Sequence, residues 1–198
     1  VALRATVEQQ KSKALNKALQ GIDRTTHLVN QLLTLARADR ESATTLTFQS
    51  VDLVGLSRRV ITTLKEDARQ HRIRLEMDSA QPEYPINGEP TMLQIMLRNL
   101  LENAIKYTPG PGAAGIRITQ DADRIRLEVW DSGTGISSET LDLMFQRFRR
   151  GAQSGPNGSG LGLSIVKRIA EIHDAEIDVN HTDTSTGFRI GILFQPFR

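Results

Sequence analysis

The sequence predicts an α+β protein, a helical hairpin at the N-terminus followed by an α/β sandwich. Residues 1–42 carry apolar side chains at helical spacing, with a heptad running through Leu15, Leu19, Ile22, Thr26, Val29, Leu33 and Ala36. Residues 43–198 instead alternate strand-period and helix-period segments, the pattern of helices laid on a sheet. Glycine-rich stretches, Asp131–Ile136 and Gly158–Ser164, stand at the end of a predicted strand and the start of a predicted helix.

Composition narrows the function. The 198 residues suit one or two domains, and 38% apolar with 24% charged residues is ordinary for a globular protein. The formal net charge of +2 gives no reason to expect nucleic acid. With no cysteine there is no disulfide scaffold, thiolate metal site or thiol nucleophile, and a reducing compartment fits. No stretch approaches the ~20 apolar residues of a membrane span, and no signal peptide is present, so no membrane contact is expected of these residues. The chain opens at Val1 inside a helical pattern and reads as a piece of a longer protein.

Leu3, Val7 and Gln10 continue an arriving helix, and Lys11–Lys13 suits a turn. In the next helix Leu28, Leu32 and Leu35 widen the heptad face beyond what one hairpin can bury. A homodimeric four-helix bundle would cover it, and so would packing on the chain's own second domain. His27 lies in this helix and is given no role.

Thr44–Phe48 alternates as a short strand, and Asp52 suits the N-cap of a helix from Leu53 to about Gln70. That helix carries a stripe of Leu56, Val60, Leu64 and Ala68. Arg72–Asp78 alternates as a half-buried strand through Ile73, Leu75 and Met77. Pro82–Glu89 reads as loop. Pro90 opens a helix that runs to Tyr107. Pro109–Gly115 reads as loop again, and Gly115–Gln120 and Arg124–Trp130 as a hairpin across Asp121-Ala122-Asp123. Ser137–Met144 is a short capped helix, Arg149–Ser159 a loop, and Leu161–His173 a helix. Ala175–Asn180 and Gly187–Phe194 close the chain as strands. The result is one layer of helices on one mixed sheet.

At ~100° per residue, Leu93, Leu97, Leu100, Leu101 and Ala104 share one sector of the Pro90–Tyr107 helix, and Asn99, Asn103 and Lys106 share another roughly 60° wide. Two carboxamides a turn apart can offer oxygens to a hard cation such as Mg²⁺, and the ammonium can meet a phosphate. Taken alone, the stripe reads more readily as a solvated helix flank. In Asp131-Ser-Gly133-Thr-Gly135-Ile136, two glycines let the backbone approach a flat ligand, and the carboxylate can accept from an exocyclic amine such as adenine's. A plain turn would look the same. Gly158-Ser159-Gly160-Leu161-Gly162-Leu163-Ser164 opens a helix whose N–H groups can face an anion, or is only a glycine-rich helix start. In Phe145-Gln-Arg147-Phe148-Arg149-Arg150 the aromatics share a helical face, and an arginine can meet phosphate or simply be solvated.

Paired asparagines, Asp-x-Gly-x-Gly, Phe-x-x-Phe and Gly-x-Gly-x-Gly succeed one another in order. The series resembles the catalytic ATP-binding domain of sensor histidine kinases of two-component systems, over about residues 45–197. The resemblance implies the Bergerat ATP-binding fold with ATP and Mg²⁺ as ligands. It implies Asn103 as metal ligand, Asn99 near the phosphates, and Lys106 and Tyr107 at the nucleotide. It puts Asp131 on adenine with Gly133, Gly135 and Ile136 around the ring. It makes Gly158, Ser159, Gly160, Leu161, Gly162 and Leu163 the hinge and phosphate contact of a lid over roughly 149–159, with Phe148 and Arg149 at the lid's base.

Residues 1–40 look like the family's dimerisation and phosphotransfer hairpin, and Val1-Ala-Leu-Arg4 resembles the continuation of the helix just past its His-Glu-Leu-Arg-Thr-Pro box. None of His27, His71, His173 and His181 stands in such a box. The expectation is a chain that binds Mg-ATP without autophosphorylating, homodimerises through its N-terminal helices, and belongs to a cytoplasmic part of an inner-membrane sensor that signals to a response regulator receiver domain. A Bergerat-type ATPase and a non-catalytic dimerising module are the alternatives. Such ATPases carry a glutamate where Asn99 stands. The chain departs from the family at His173-Asp174-Ala175, where His-Gly-Gly is usual.

Overall fold

In the computed structural model, the described residues are 46–121, 123–135, 161–180 and 187–197. The predicted hairpin of residues 1–42, the helix at 137–144 and the loop at 149–159 lie outside them.

Strand β1 (Gln49–Asp52) leads into helix α1 (Leu53–Gln70). Asp52 caps that helix as its residue type predicts, its carboxylate accepting from Val54 N–H at 3.0 Å and Gly55 N–H at 2.7 Å. The same carboxylate accepts from Tyr84 N–H at 2.9 Å, which ties the helix start to a segment 32 residues on. Leu56, Val60, Leu64 and Ala68 are all buried, as their spacing predicts.

Strand β2 (Ile73–Ser79) comes next, then β3 (Pro85–Gly88), helix α2 (Pro90–Tyr107), β4 (Gly112–Asp121) and β5 (Arg124–Asp131). Helix α3 (Gly162–Ile172) and strands β6 (Glu176–Asn180) and β7 (Arg189–Phe194) complete the described chain. The main sheet has five strands in the order β2-β4-β5-β7-β6, with β2–β4 parallel and the other pairs antiparallel. The parallel pair arises because β2 reaches β4 through β3 and α2.

One face of this sheet is apolar. Cross-strand rows Ile118–Leu127–Ile192 and Ile116–Val129–Ile190 are buried beneath the helices, together with Ile125 and Phe194. Burial of this kind is the main stabilising term in the fold. The opposite face carries ion pairs, Arg117–Asp78, Arg124–Glu176 and Arg126–Asp178, that reach between strands.

Three expectations need correction. Among the described residues the first strand is Gln49–Asp52, and of the predicted Thr44–Phe48 residues 46–48 form no strand while 44–45 lie outside the described residues. Pro85–Gly88 is a strand inside what the sequence offers as loop, and it pairs antiparallel with β1 as a separate two-stranded sheet. Its proline and glycine mask the strand signal, yet Ile86 is fully buried. Strand β4 begins at Gly112, three residues before the predicted start, because the small residues Gly112–Ala114 pair with Ile73–Leu75 of β2.

Candidate nucleotide-binding site

Helix α2 is the floor of the site. Glu89 caps it, accepting from Thr91 N–H at 3.2 Å and Met92 N–H at 2.6 Å, and Pro90 stands in its first turn. Leu93, Leu97, Leu100, Leu101 and Ala104 are buried, so the polar stripe cannot face the core. Asn99 is nonetheless 6% exposed. Its Nδ2 donates to Ile95 C=O at 2.8 Å along its own helix. Asn103 and Lys106 are half-buried and Tyr107 is exposed. Lys106 Nζ lies 3.3 Å from the Tyr107 hydroxyl and 4.9 Å from its ring centroid.

The N-terminus of α3 meets this stripe. A Cβ on Gly162 would stand 3.2 Å from Asn99 Oδ1 and 3.5 Å from Asn103 Nδ2. Leu161 occupies the N-cap position and makes no side-chain capping bond. The first turn of α3 therefore takes no cap from that side chain, and its partial positive charge suits an anion. The side chains of Leu161 and Leu163 are buried in the core, so what either offers a ligand is backbone.

The Asp131 turn closes the other end. Asp131 Oδ1 accepts from Gly133 N–H at 2.7 Å and from Phe188 N–H at 3.4 Å, and Asp131 N–H donates to Phe188 C=O at 3.0 Å. Burial pushes the Asp131 carboxyl above the ordinary carboxylate range, and the two backbone N–H groups pull it back. Gly133 packs against the end of α2, where its Cβ would lie 3.2 Å from Tyr107 C=O. Gly135 has φ +72, a conformation that glycine takes without strain. The contacts of α2 with Gly162 and with Gly133 are separated by eight residues of helix, about 12 Å of rise.

The structure thus brings together Asn99, Asn103, Lys106, Tyr107, Asp131, Gly133, Leu161 and Gly162 along one helix, while Leu163 is buried in the core and Gly135 lies against Gly187, where a Cβ would stand 3.2 Å from the carbonyl oxygen. Ile136, Phe148, Arg149, Gly158, Ser159 and Gly160 lie outside the described residues. Sequence reading missed the backbone of Phe188, whose partner Asp131 is 57 residues away and which carries no local signal. It also missed the buried His173, which proves to be bonded to the start of α2.

Residues 88–196, more than half of the chain, match the family described as histidine kinase-, DNA gyrase B- and HSP90-like ATPases. The chain belongs to that family. Within it the similarity is to sensor histidine kinases. Sensor protein QseC of Escherichia coli K12 is 34% identical over 88% of this chain and 38% of its own length. Sensor protein kinase PmrB of Pseudomonas aeruginosa is 34% identical over 98% of this chain and 40% of its own. The chain therefore spans about two-fifths of these relatives. The mycobacterial sensor histidine kinase MprB superposes with a TM-score of 0.67 at 30% identity, covering 75% of this chain and all of that one. The catalytic domain of histidine kinase ThkA gives 0.69 at 25% identity, covering 76% of this chain and 97% of that one. The described part of the chain is thus an α+β domain with a mixed sheet, as predicted, and the named relatives are sensor proteins and histidine kinases.

Among the described residues no helix is long and apolar enough to cross a membrane. Among them, too, no three His, Cys, Asp or Glu side chains gather for a metal.

Proposed function

We propose that residues 43–198 bind Mg-ATP as the catalytic domain of a sensor histidine kinase, whose whole form phosphorylates a histidine of its own dimer bundle and passes the phosphoryl group to a response regulator. The observation that carries this reading is the meeting of a helix N-terminus with two carboxamides at Gly162. The start of α3 suits anionic phosphates, and the Asn103 oxygen suits a hard cation. A magnesium ion there would keep most of its waters and arrive on the phosphates, since among the described residues the stripe offers amides and no cluster of carboxylates gathers.

When bound, magnesium would offset negative charge on the phosphates. The chain's own residues bind and orient. Asp131 holds its Oδ1 on two backbone N–H groups, which leaves Oδ2 to accept from the adenine amine. Lys106, on the same helix as the two asparagines and beside Tyr107, brings a positive charge to the nucleotide. Holding reactants in place in this way is the main route to catalysis of phosphoryl transfer.

Efficient ATP hydrolysis is disfavoured because Asn99 has no carboxylate to take a proton from water, and its amide N–H is engaged by Ile95. The two histidines among the described residues are poor phosphoryl acceptors. His173 is buried with both ring nitrogens bonded, and His71 lies on the outer end of α1 beside Asp67. Dimerisation through residues 1–42 and a cytoplasmic setting under a membrane sensor complete the proposal. Incubation with γ-labelled ATP and magnesium should leave no acid-labile phosphate on this chain. Appearance of phosphohistidine would refute the assignment of the acceptor to sequence outside it.

A further inference from the structure

His173 sits at the C-terminal cap of α3, 8% exposed, and no step above uses it. Its Nδ1 lies 2.7 Å from Ile169 C=O, and its Nε2 lies 3.0 Å from the backbone nitrogen of Glu89. A carbonyl only accepts and an amide N–H only donates, so Nδ1 carries the proton and Nε2 is bare. The ring is neutral and fixed in one tautomer. Its third neighbour is Phe48, whose ring centroid is 5.1 Å away at a 43° tilt. Phe48 immediately precedes β1, where the chain enters the domain. Gly88 makes room for the imidazole, since a Cβ there would lie 3.0 Å from His173 Cδ2.

The position has a geometric consequence. Helices α2 and α3 pack against each other. They touch at Gly162 against Asn99 and at His173 against Glu89. Eleven residues separate the two contacts on α3 and ten on α2, about 17 and 15 Å of rise. The helices therefore run antiparallel and are pinned at matched heights, one pin in the candidate site and one at its far end. Slipping α3 by one residue would move Gly162 about 1.5 Å along the asparagine pair.

We propose that His173 is a positioning residue that sets the register of α3 against α2 and ties both helices to the entering segment at Phe48. The consequence for nucleotide rests on the reading of the cleft given above. Burial holds the imidazole below its ordinary pKa, while the Ile169 bond and the charges of Glu89 and Asp174 pull it up. The Glu89 carboxylate is already engaged by Thr91 and Met92 N–H. A proton on Nε2 would point at the Glu89 N–H, donor against donor.

The test uses the full chain with His173→Gln, which can still donate and accept, and His173→Leu, which can do neither. Nitrogen NMR of the wild-type imidazole should show the Nδ1–H tautomer. His173→Leu should lower hydrogen-exchange protection of the Glu89 amide and the affinity for Mg-ATP each by about tenfold, the effect of a lost buried hydrogen bond. His173→Gln should stay within about threefold of wild type on both, by the same reasoning. Where His173→Leu fails to fold, the tautomer and the Glu89 protection in His173→Gln decide. An Nε2–H tautomer, an unchanged Glu89 amide in His173→Leu, or equal loss in the two variants overturns the proposal. Wild-type protein that binds no nucleotide would refute the function proposed above, and the tautomer and Glu89 protection would still judge the joint.

Discussion

Gly162 and Asn99 meet side on across the α2–α3 contact, with 3.2 Å between the amide oxygen and the place where a Cβ would stand. That spacing is tighter than most real Cβ contacts, so the close approach of α3 to α2 at Asn99 requires a glycine or a shift of its neighbours. Replacing it sets helix propensity against crowding.

Gly162→Ala gains up to about 1 kcal/mol of helix propensity and loses about 1–3 kcal/mol to crowding against Asn99. Thermal unfolding should therefore show a small loss of stability. Nucleotide affinity should fall by about tenfold or more, since a misfit of about 1.4 kcal/mol at the amide is enough. Calorimetric titration of the variant checks this.

Asp131→Asn should fold, because its Oδ1 can still accept from Gly133 and Phe188 N–H. Its Nδ2 then points to the ligand as a donor and opposes the adenine amine. ATP should weaken, and inosine triphosphate, whose base offers an oxygen there, should gain relative to it. Competition binding measures the ratio. The same variant tests pH. Burial raises the Asp131 pKa above 3.8, so the native state binds more protons than the unfolded one between that value and the raised one. Stability contributed by Asp131 should fall as pH rises through that window, and the slope should vanish in Asp131→Asn.

Asp52→Ala removes acceptors from three backbone N–H groups, those of Val54, Gly55 and Tyr84. Loss of an N-cap costs about 0.5–2 kcal/mol and an orphaned buried N–H about 1–3 kcal/mol. Urea unfolding should show a loss of about 2–4 kcal/mol on these terms. Asp52 does not touch the site, so nucleotide affinity of the folded fraction should be unchanged.

Much of this was legible in local chemistry. Pro90 and the wheel of α2 specify that helix end to end, and Asp52 specifies the start of α1. The two-stranded β1–β3 sheet was not legible, because Pro85 and Gly88 write loop locally and pairing with Gln49–Asp52 overrides them. The turn at His173-Asp174 shows the converse. Glycine is usual there in the family, and the chain makes the turn with Asp174 at φ +49, a left-handed conformation that aspartate tolerates better than most residues. Of the candidate site, the buried face of α2 beneath its polar stripe was readable from spacing. The backbone of Phe188 and the imidazole of His173 were not, since each acts through a partner far along the chain.

Calorimetric titration of the chain with a non-hydrolysable ATP analogue, in magnesium and then in chelator, with Asn103→Ala run alongside, bears most directly on the cleft between α2 and α3. Saturable heat in magnesium is expected, with affinity lower by about tenfold or more in chelator and in Asn103→Ala, the loss of one charge-assisted contact. No heat at millimolar nucleotide, or Asn103→Ala binding as wild type does, would contradict a metal-nucleotide site there.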